Sequence, residues 1–252
     1  MGTTLYLQQA RCVPEGESVD RTVPLQVRDL AFRYVDKARA SNWGVNVATL
    51  QLAQGEQVLL TGRSGSGKST LLYLIAGLLD PTRGSIIVGG TDIHSLHGRA
   101  RDAYRGRGIG MIFQTFNLLS GFTALENVLA ALMFSSIPGS EHDTRARSLL
   151  EQLGIKRFDD DVSELSVGQQ QRVAVARAVV CDPVLVLADE PTASLDPENA
   201  SAAMKLIQDL CEKKGAALLC ASHDHSMAQR FDRKIDLEDL AGQPSSTEPL
   251  RA

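Results

Sequence analysis

The chain has 252 residues and a formal charge of −4, enough for one sizeable domain or a two-lobed one. A mildly acidic balance argues against a general nucleic-acid-binding surface, so no nucleic-acid partner is expected. No apolar run approaches the ~18–20 residues that span a bilayer, and no leader pattern opens the chain. A membrane role therefore needs a separate partner. Cys12, Cys181, Cys211 and Cys220 have neither metal-ligand spacing nor a CxxC pair, which fits a reducing cytosol.

Residues 1–22 are polar and weakly patterned and read as an extension of unknown role. Leu25 to Tyr34 and Val45 to Ala53 pattern as antiparallel strands. Gln54-Gly55 turns the chain into an apolar strand, Val58-Leu59-Leu60-Thr61. Then comes Gly62-Arg63-Ser64-Gly65-Ser66-Gly67-Lys68-Ser69, which fits the phosphate-binding pattern G-x-x-x-x-G-K-[ST]. A helix over Ser69 to Leu79, which includes Thr70, follows it. Glycines let the backbone curl so that N–H groups point at phosphate oxygens, and the helix start adds its positive dipole end. Lys68 is expected on the β- and γ-phosphates and Ser69 on Mg²⁺.

Pro81-Thr82-Arg83-Gly84 ends that helix and leads to a strand over Ser85 to Val88. A largely helical region follows, about 117–181, with a capping-box pattern at Thr123 and Glu126. Within it, Leu165-Ser166-Val167-Gly168-Gln169 opens a helix over about Val167 to Val180, and Ser166 with Gln169 reads as a second capping box. That helix start offers a hydroxyl, free N–H groups and a favourable dipole, a second anion site or simply a well-capped helix.

Val184-Leu185-Val186-Leu187-Ala188 is a buried strand ending in Asp189 and Glu190, at the strand end where open α/β sheets place ligands. Asp189 is expected to hold Mg²⁺, and Glu190 to polarise an attacking water. Asp196-Pro197-Glu198 starts a helix that ends near Gly215. Strand Ala216 to Ser222 delivers His223. Residues 241–252 read as a polar, disordered tail.

In this order the motifs resemble the nucleotide-binding subunit of ATP-binding-cassette (ABC) transporters, over about 23–240. The resemblance implies a phosphate-loop α/β core with a parallel sheet, an antiparallel β subdomain and an α-helical subdomain. It implies an ATPase using ATP and Mg²⁺. Tyr34, 28 residues before Gly62, matches the aromatic that stacks on adenine. Gln114 matches the glutamine that contacts Mg²⁺ and the attacking water. Leu165 to Gln169 matches the signature motif, Ser194-Leu195-Asp196 the loop that contacts the partner subunit, and His223 the switch histidine on the γ-phosphate.

The run Ile109 to Leu119, followed by Thr123 to Val128, is similar to the bacterial lipoprotein-release and macrolide-export group. One departure stands out: Val167 replaces the first glycine of the usual L-S-G-G-Q signature, which bears on hydrolysis rate more than on ATP binding. The resemblance further implies a head-to-tail dimer in which Ser166 and Gly168 of one copy close the nucleotide of the other. It implies a permease subunit docked in a groove near Phe116, Leu118, Leu119 and Phe122, holding the chain at the inner face of the cell membrane. A regulatory or mechanical ATPase that controls cell-wall enzymes through a membrane protein would have much the same cytosolic subunit.

Overall fold

The structure, a computed structural model, describes residues 22–34 and 44–241. The expected N-terminal extension apart from Thr22, the tail apart from Ala241, and Cys12 lie outside the described residues. In chain order the elements are β1 (Leu25–Phe32), β2 (Val45–Leu52), β3 (Gln57–Thr61), α1 (Lys68–Ile75), β4 (Arg83–Val88), β5 (Thr91–Asp92), α2 (Arg99–Gly108) and β6 (Ile109–Ile112). There follow α3 (Ala124–Leu132), α4 (Gly139–Gln152), α5 (Val167–Val179), β7 (Leu185–Asp189), α6 (Pro197–Lys214), β8 (Ala217–Ala221) and β9 (Arg233–Asp236).

The strands make two sheets. One is antiparallel, in the order β2-β1-β4-β5; the other has the order β6-β7-β8-β3-β9, with every pair parallel. Strand β7 shows why the parallel sheet is central. All five of its residues are buried, and alternation sends them to opposite faces. Leu185 and Leu187 enter a core shared with the antiparallel sheet and α1, while Val186 and Ala188 enter one shared with α3 to α6.

Both capping boxes form. Thr123 Oγ1 accepts from Glu126 N at 3.1 Å, and Glu126 Oε2 accepts from Thr123 N at 2.8 Å. The segment 117–123 before α3 is loop, not helix. Buried Asn127 pins it, accepting from Leu119 N at 2.8 Å and donating to Leu119 O and Thr123 O. These bonds close the loop's polar backbone onto α3, which is how a non-helical stretch is accommodated beside a core. Four elements carried no sequence signal: α2, β5, β6 and β9. Helix α2 reads RARDAYRGRG and buries only Ala103, Tyr104 and Gly108.

Candidate functional site

Two glycines of the 62–69 loop have no substitute. Gly67 has φ +105°, and a Cβ there would lie 2.4 Å from Gly44 O. Gly62 has φ +146°, with Ser66 Oγ 2.9 Å from its would-be Cβ. Such dihedrals and close approaches favour glycine. Gly67 caps α1 with no side-chain hydrogen bond, so the helix's first N–H groups are left facing the loop. Lys68 is 7% exposed, and its Nζ donates to Gly62 O at 2.8 Å and Arg63 O at 3.2 Å. Ser66 Oγ is buried without a hydrogen-bond partner. An orphaned buried hydroxyl beside uncapped N–H groups is what a phosphate group would satisfy. Arg63, Ser64 and Gly65 line the outer curve of the loop, and a Cβ at Gly65 would meet nothing within 4 Å. Thr70 is buried, and its Oγ1 lies 2.7 Å from the Tyr34 hydroxyl. Tyr34 itself is 59% exposed and packs edge-on against Phe32 at 4.8 Å between centroids. It lies just past the end of β1, on the shoulder of the loop.

The carboxylates meet the loop at the C-terminal edge of the parallel sheet. Ser69 Oγ donates to Asp189 Oδ1 at 2.9 Å. Asp189 is buried, and that burial raises its pKa above the ordinary aspartate value. Hydrogen bonds from Ser69 and Tyr73 pull the other way, and the charge of Glu190 adds to the rise. Tyr73 is a partner that sequence reading missed; its place one turn after Ser69 on α1 was the available signal. Among the described residues no group of three or more His, Cys, Asp or Glu side chains could hold a metal by itself. The oxygen donors Ser69 and Asp189 nevertheless suit Mg²⁺, which takes one or two protein ligands and completes its shell with phosphates and water.

Glu190 stands at φ +46°, in the left-handed region. Its Oε1 accepts from His223 N at 3.0 Å and lies 2.6 Å from His223 Nδ1. Its Oε2 accepts from Ser222 Oγ at 3.2 Å. The pairing of Asp189 with Ala221 across β7 and β8 is what brings Glu190 and His223 together, although they are 33 residues apart. Gln114 is exposed and lies two residues beyond Ile112, which pairs with Ala188. So Lys68, Ser69, Gln114, Asp189, Glu190 and His223 gather at one edge.

Ser166, Gly168 and Gln169 do not join them within the chain. Gln169 N donates to Ser166 Oγ at 3.3 Å, and Ser166 N to Gln169 Oε1 at 3.0 Å. A Cβ at Gly168 would meet nothing within 4 Å, and Val167 is 49% exposed. Asp196 caps α6, accepting from Asn199 N at 3.1 Å; those bonds with Asn199 hold its pKa below the ordinary range.

An open apolar groove of about 520 Å³ lies between the parallel sheet's edge and α3. It is lined by Leu78, Met111, Phe113, Phe134 and Arg177, among others. The residues expected to line a groove are placed differently. Phe116 is 7% exposed and Leu118 packs on the core, while Leu119 and Phe122 are exposed beside the Asn127 pin. Among the described residues no helix is long and apolar enough to cross a membrane.

A glycine-rich loop between β3 and α1, facing a carboxylate-ended strand of the same sheet, defines a phosphate-loop nucleoside-triphosphatase fold. Comparison with known proteins narrows this. The family described as ABC transporter matches residues 45–193. The dimeric post-hydrolysis structure of the ATP-binding cassette MJ0796, bound to ADP and Pi, is 32% identical with a TM-score of 0.76, over 90% of this chain and 99% of that one. A second dimeric structure of MJ0796, described as a bacterial ABC transporter cassette, is 33% identical at TM-score 0.74, over 84% and 93%. The cbiO1 protein of Clostridium perfringens, part of the ABC transporter complex cbiONQ, is 30% identical at TM-score 0.69, over 81% and 79%. The chain belongs to the ABC transporter family. It is an ABC ATPase, with the ATP-binding cassette fold expected from its motifs.

Proposed function

We propose that this ATPase drives a separate membrane subunit, of the lipoprotein-release or efflux type, by ATP-dependent dimerisation. The observation that carries the reading is the cluster at the sheet edge: Ser69 bonded to Asp189, Glu190 paired with His223, and Lys68 on a loop whose Ser66 hydroxyl is buried without a partner. ATP binds with its phosphates in the 62–69 loop and its adenine on Tyr34. Ser69, Asp189 and Gln114 would hold Mg²⁺, which would neutralise charge on the phosphate oxygens. Glu190 accepts a proton from the attacking water, and His223 and Gln114 contact the γ-phosphate. Lys68 exchanges its two carbonyl partners for phosphate oxygens as charge develops.

MJ0796 is dimeric in both of its structures, one of them after hydrolysis, which supports a head-to-tail pair here. Ser166, Gly168 and Gln169 of one copy, with Asp196 beside them, then close over the other copy's nucleotide. That cbiO1 is part of a transporter complex supports a membrane subunit, through which this chain would sit at the inner membrane face. We assign its docking to the groove lined by Leu78, Met111, Phe113 and Phe134, with Leu119 and Phe122 at its margin.

The test is Glu190→Gln, which keeps shape and removes the charge. ATP still binds, turnover falls about a hundredfold or more, and an ATP-bound dimer accumulates on size-exclusion chromatography. Turnover near the parent value in the purified variant would remove Glu190 from this role.

A further inference from the structure

Helix α5 has a second function-bearing end. Its last turn carries Arg177, partly buried and paired with no carboxylate among the described residues. The guanidinium reaches out of its own helix. Nη1 donates to Asn117 O at 2.6 Å and Nη2 to Phe116 O at 2.7 Å. Both bonds are charge-assisted, and the planar fork of arginine suits two adjacent carbonyls as lysine does not. Desolvation lowers this group's pKa from its ordinary value, so the cation has been drawn out of water toward those two oxygens.

The carbonyls belong to an unusual corner. Phe116 has φ +59° and Asn117 φ +48°, consecutive non-glycine residues in the left-handed region, a conformation that persists only where its surroundings impose it. The Phe116 N–H donates to Phe113 O at 3.1 Å, closing a four-residue turn whose two central residues are Gln114 and Thr115. Thr115 Oγ1 donates to Asn117 Oδ1 at 2.8 Å and tightens the same corner. Gln114 therefore rides on a turn whose closing residue is gripped through its carbonyl by Arg177.

We propose that Arg177 is a positioning residue. It locks the Phe116–Asn117 corner to the last turn of α5, and so ties the placement of Gln114 both to the helix that begins at Ser166 and to the groove that Arg177 and Phe113 line. Anything seated in that groove then shifts Gln114 and the signature helix as one unit. The inference rests on the role proposed above for Gln114 and deepens it.

A mutant cycle on the full-length chain tests it, using phosphate release for turnover and a fluorescent ATP analogue for affinity. Arg177→Lys keeps the charge but cannot grip both carbonyls. Its kcat falls about tenfold, while nucleotide affinity stays within about twofold, because no phosphate-loop residue touches Arg177. In the Gln114→Ala background the same change lowers kcat by less than about twofold further, since there is no glutamine left to misplace. Normal nucleotide affinity shows that the variant is folded. Equal losses on both backgrounds, or no loss on the parent background, overturn the positioning role. Unchanged turnover in Gln114→Ala alone instead overturns the role of Gln114, and this inference with it.

Discussion

Two helix N-termini in this chain are finished in opposite ways. At α1 the cap is Gly67, left-handed and without a side-chain bond; Ser66 Oγ is buried with no partner, and Lys68 is turned back onto its own loop. At α5, Ser166 and Gln169 satisfy each other's backbone N–H groups in a closed reciprocal box. The first end keeps a buried hydroxyl that an anion would satisfy; at the second the box takes up the Ser166 and Gln169 N–H groups and leaves those of Val167 and Gly168 outside it. The Ser166 oxygen accepts in that box, so its O–H can still donate to an anion without breaking a cap worth ~1 kcal/mol. In the head-to-tail pair proposed above, the α1 end of one copy would hold the nucleotide and the α5 end of the other would add its hydroxyl and N–H groups.

Methyl groups placed at the two ends break this comparison most sharply. Gly67→Ala puts a Cβ 2.4 Å from Gly44 O at φ +105°. Nucleotide affinity falls by about a hundredfold or more, ~2.7 kcal/mol, in a titration with a fluorescent ATP analogue. Gly168→Ala meets nothing in its own chain and keeps single-subunit affinity within about twofold. Similar affinities for the two variants would erase the distinction between an open and a closed helix end.

A charge at the second end separates binding from pairing. The open space at Gly168 means that Gly168→Asp folds and binds ATP as the parent does. In the dimer its carboxylate faces the triphosphate, and like charges a few ångströms apart away from water repel by several kcal/mol, on the order of 4 at 4 Å. In the Glu190→Gln background, where the dimer accumulates, size-exclusion chromatography then finds a monomer with ATP bound. A Gly168→Asp dimer would mean that α5 is not the cross-subunit phosphate site.

The acidic side of the first end carries a pH dependence. Burial raises the Asp189 pKa, so the folded state holds that proton more tightly than the unfolded one. From the ordinary aspartate range up through the raised value, this group makes stability fall as pH rises. Above both values its ionised form carries a desolvation cost that the Ser69 and Tyr73 hydrogen bonds and the Lys68 charge offset in part. Asp189→Asn removes the titration. The melting temperature of the nucleotide-free variant, minus that of the parent, therefore increases as pH rises from the ordinary carboxylate range toward neutrality, while Mg²⁺-dependent hydrolysis falls about a hundredfold or more. A difference flat in pH would mean that Asp189 titrates alike in both states.

What sequence alone could show follows the same division. The α1 end was legible because its parts are contiguous: a strand, a glycine loop, a lysine and a helix in one run of residues. Asp189 and Glu190 were legible for the same reason, at the end of an unbroken apolar strand. What escaped is made by convergence. Glu190 meets Ser222 and His223 only because β7 pairs with β8, and no local pattern announces its φ of +46°. Tyr73 joins Asp189 from α1, and Arg177 grips Phe116 and Asn117 across 60 residues of chain. Helix α2 went unseen because four arginines leave it almost no apolar period to read. Of the residues expected at a docking groove, a left-handed corner turns Phe116 inward, while the loop pinned by Asn127 leaves Leu119 and Phe122 exposed; the apolar cavity is lined by Leu78 and Phe134 among others.

The smallest effect belongs to the departure from the usual signature. Val167 is the first residue of α5, its φ is not positive, and half of its surface is exposed. A β-branched residue at the first helical position meets no preceding turn, so its stiffness costs little there. The contacts that matter at this end, the Ser166 hydroxyl and the free space over Gly168, do not pass through the valine side chain. Val167→Gly therefore restores the usual pattern with little to restore. Helix propensity alone predicts a stability loss below about 1 kcal/mol, and turnover changes by less than about tenfold, an activation difference under ~1.4 kcal/mol. Steady-state phosphate release on the full-length chain, beside a thermal melt, reads both. A larger gain in turnover would mean that the valine methyls hold the second copy away from the γ-phosphate. The closed end of α5 would then be a brake on this ATPase as well as a cap.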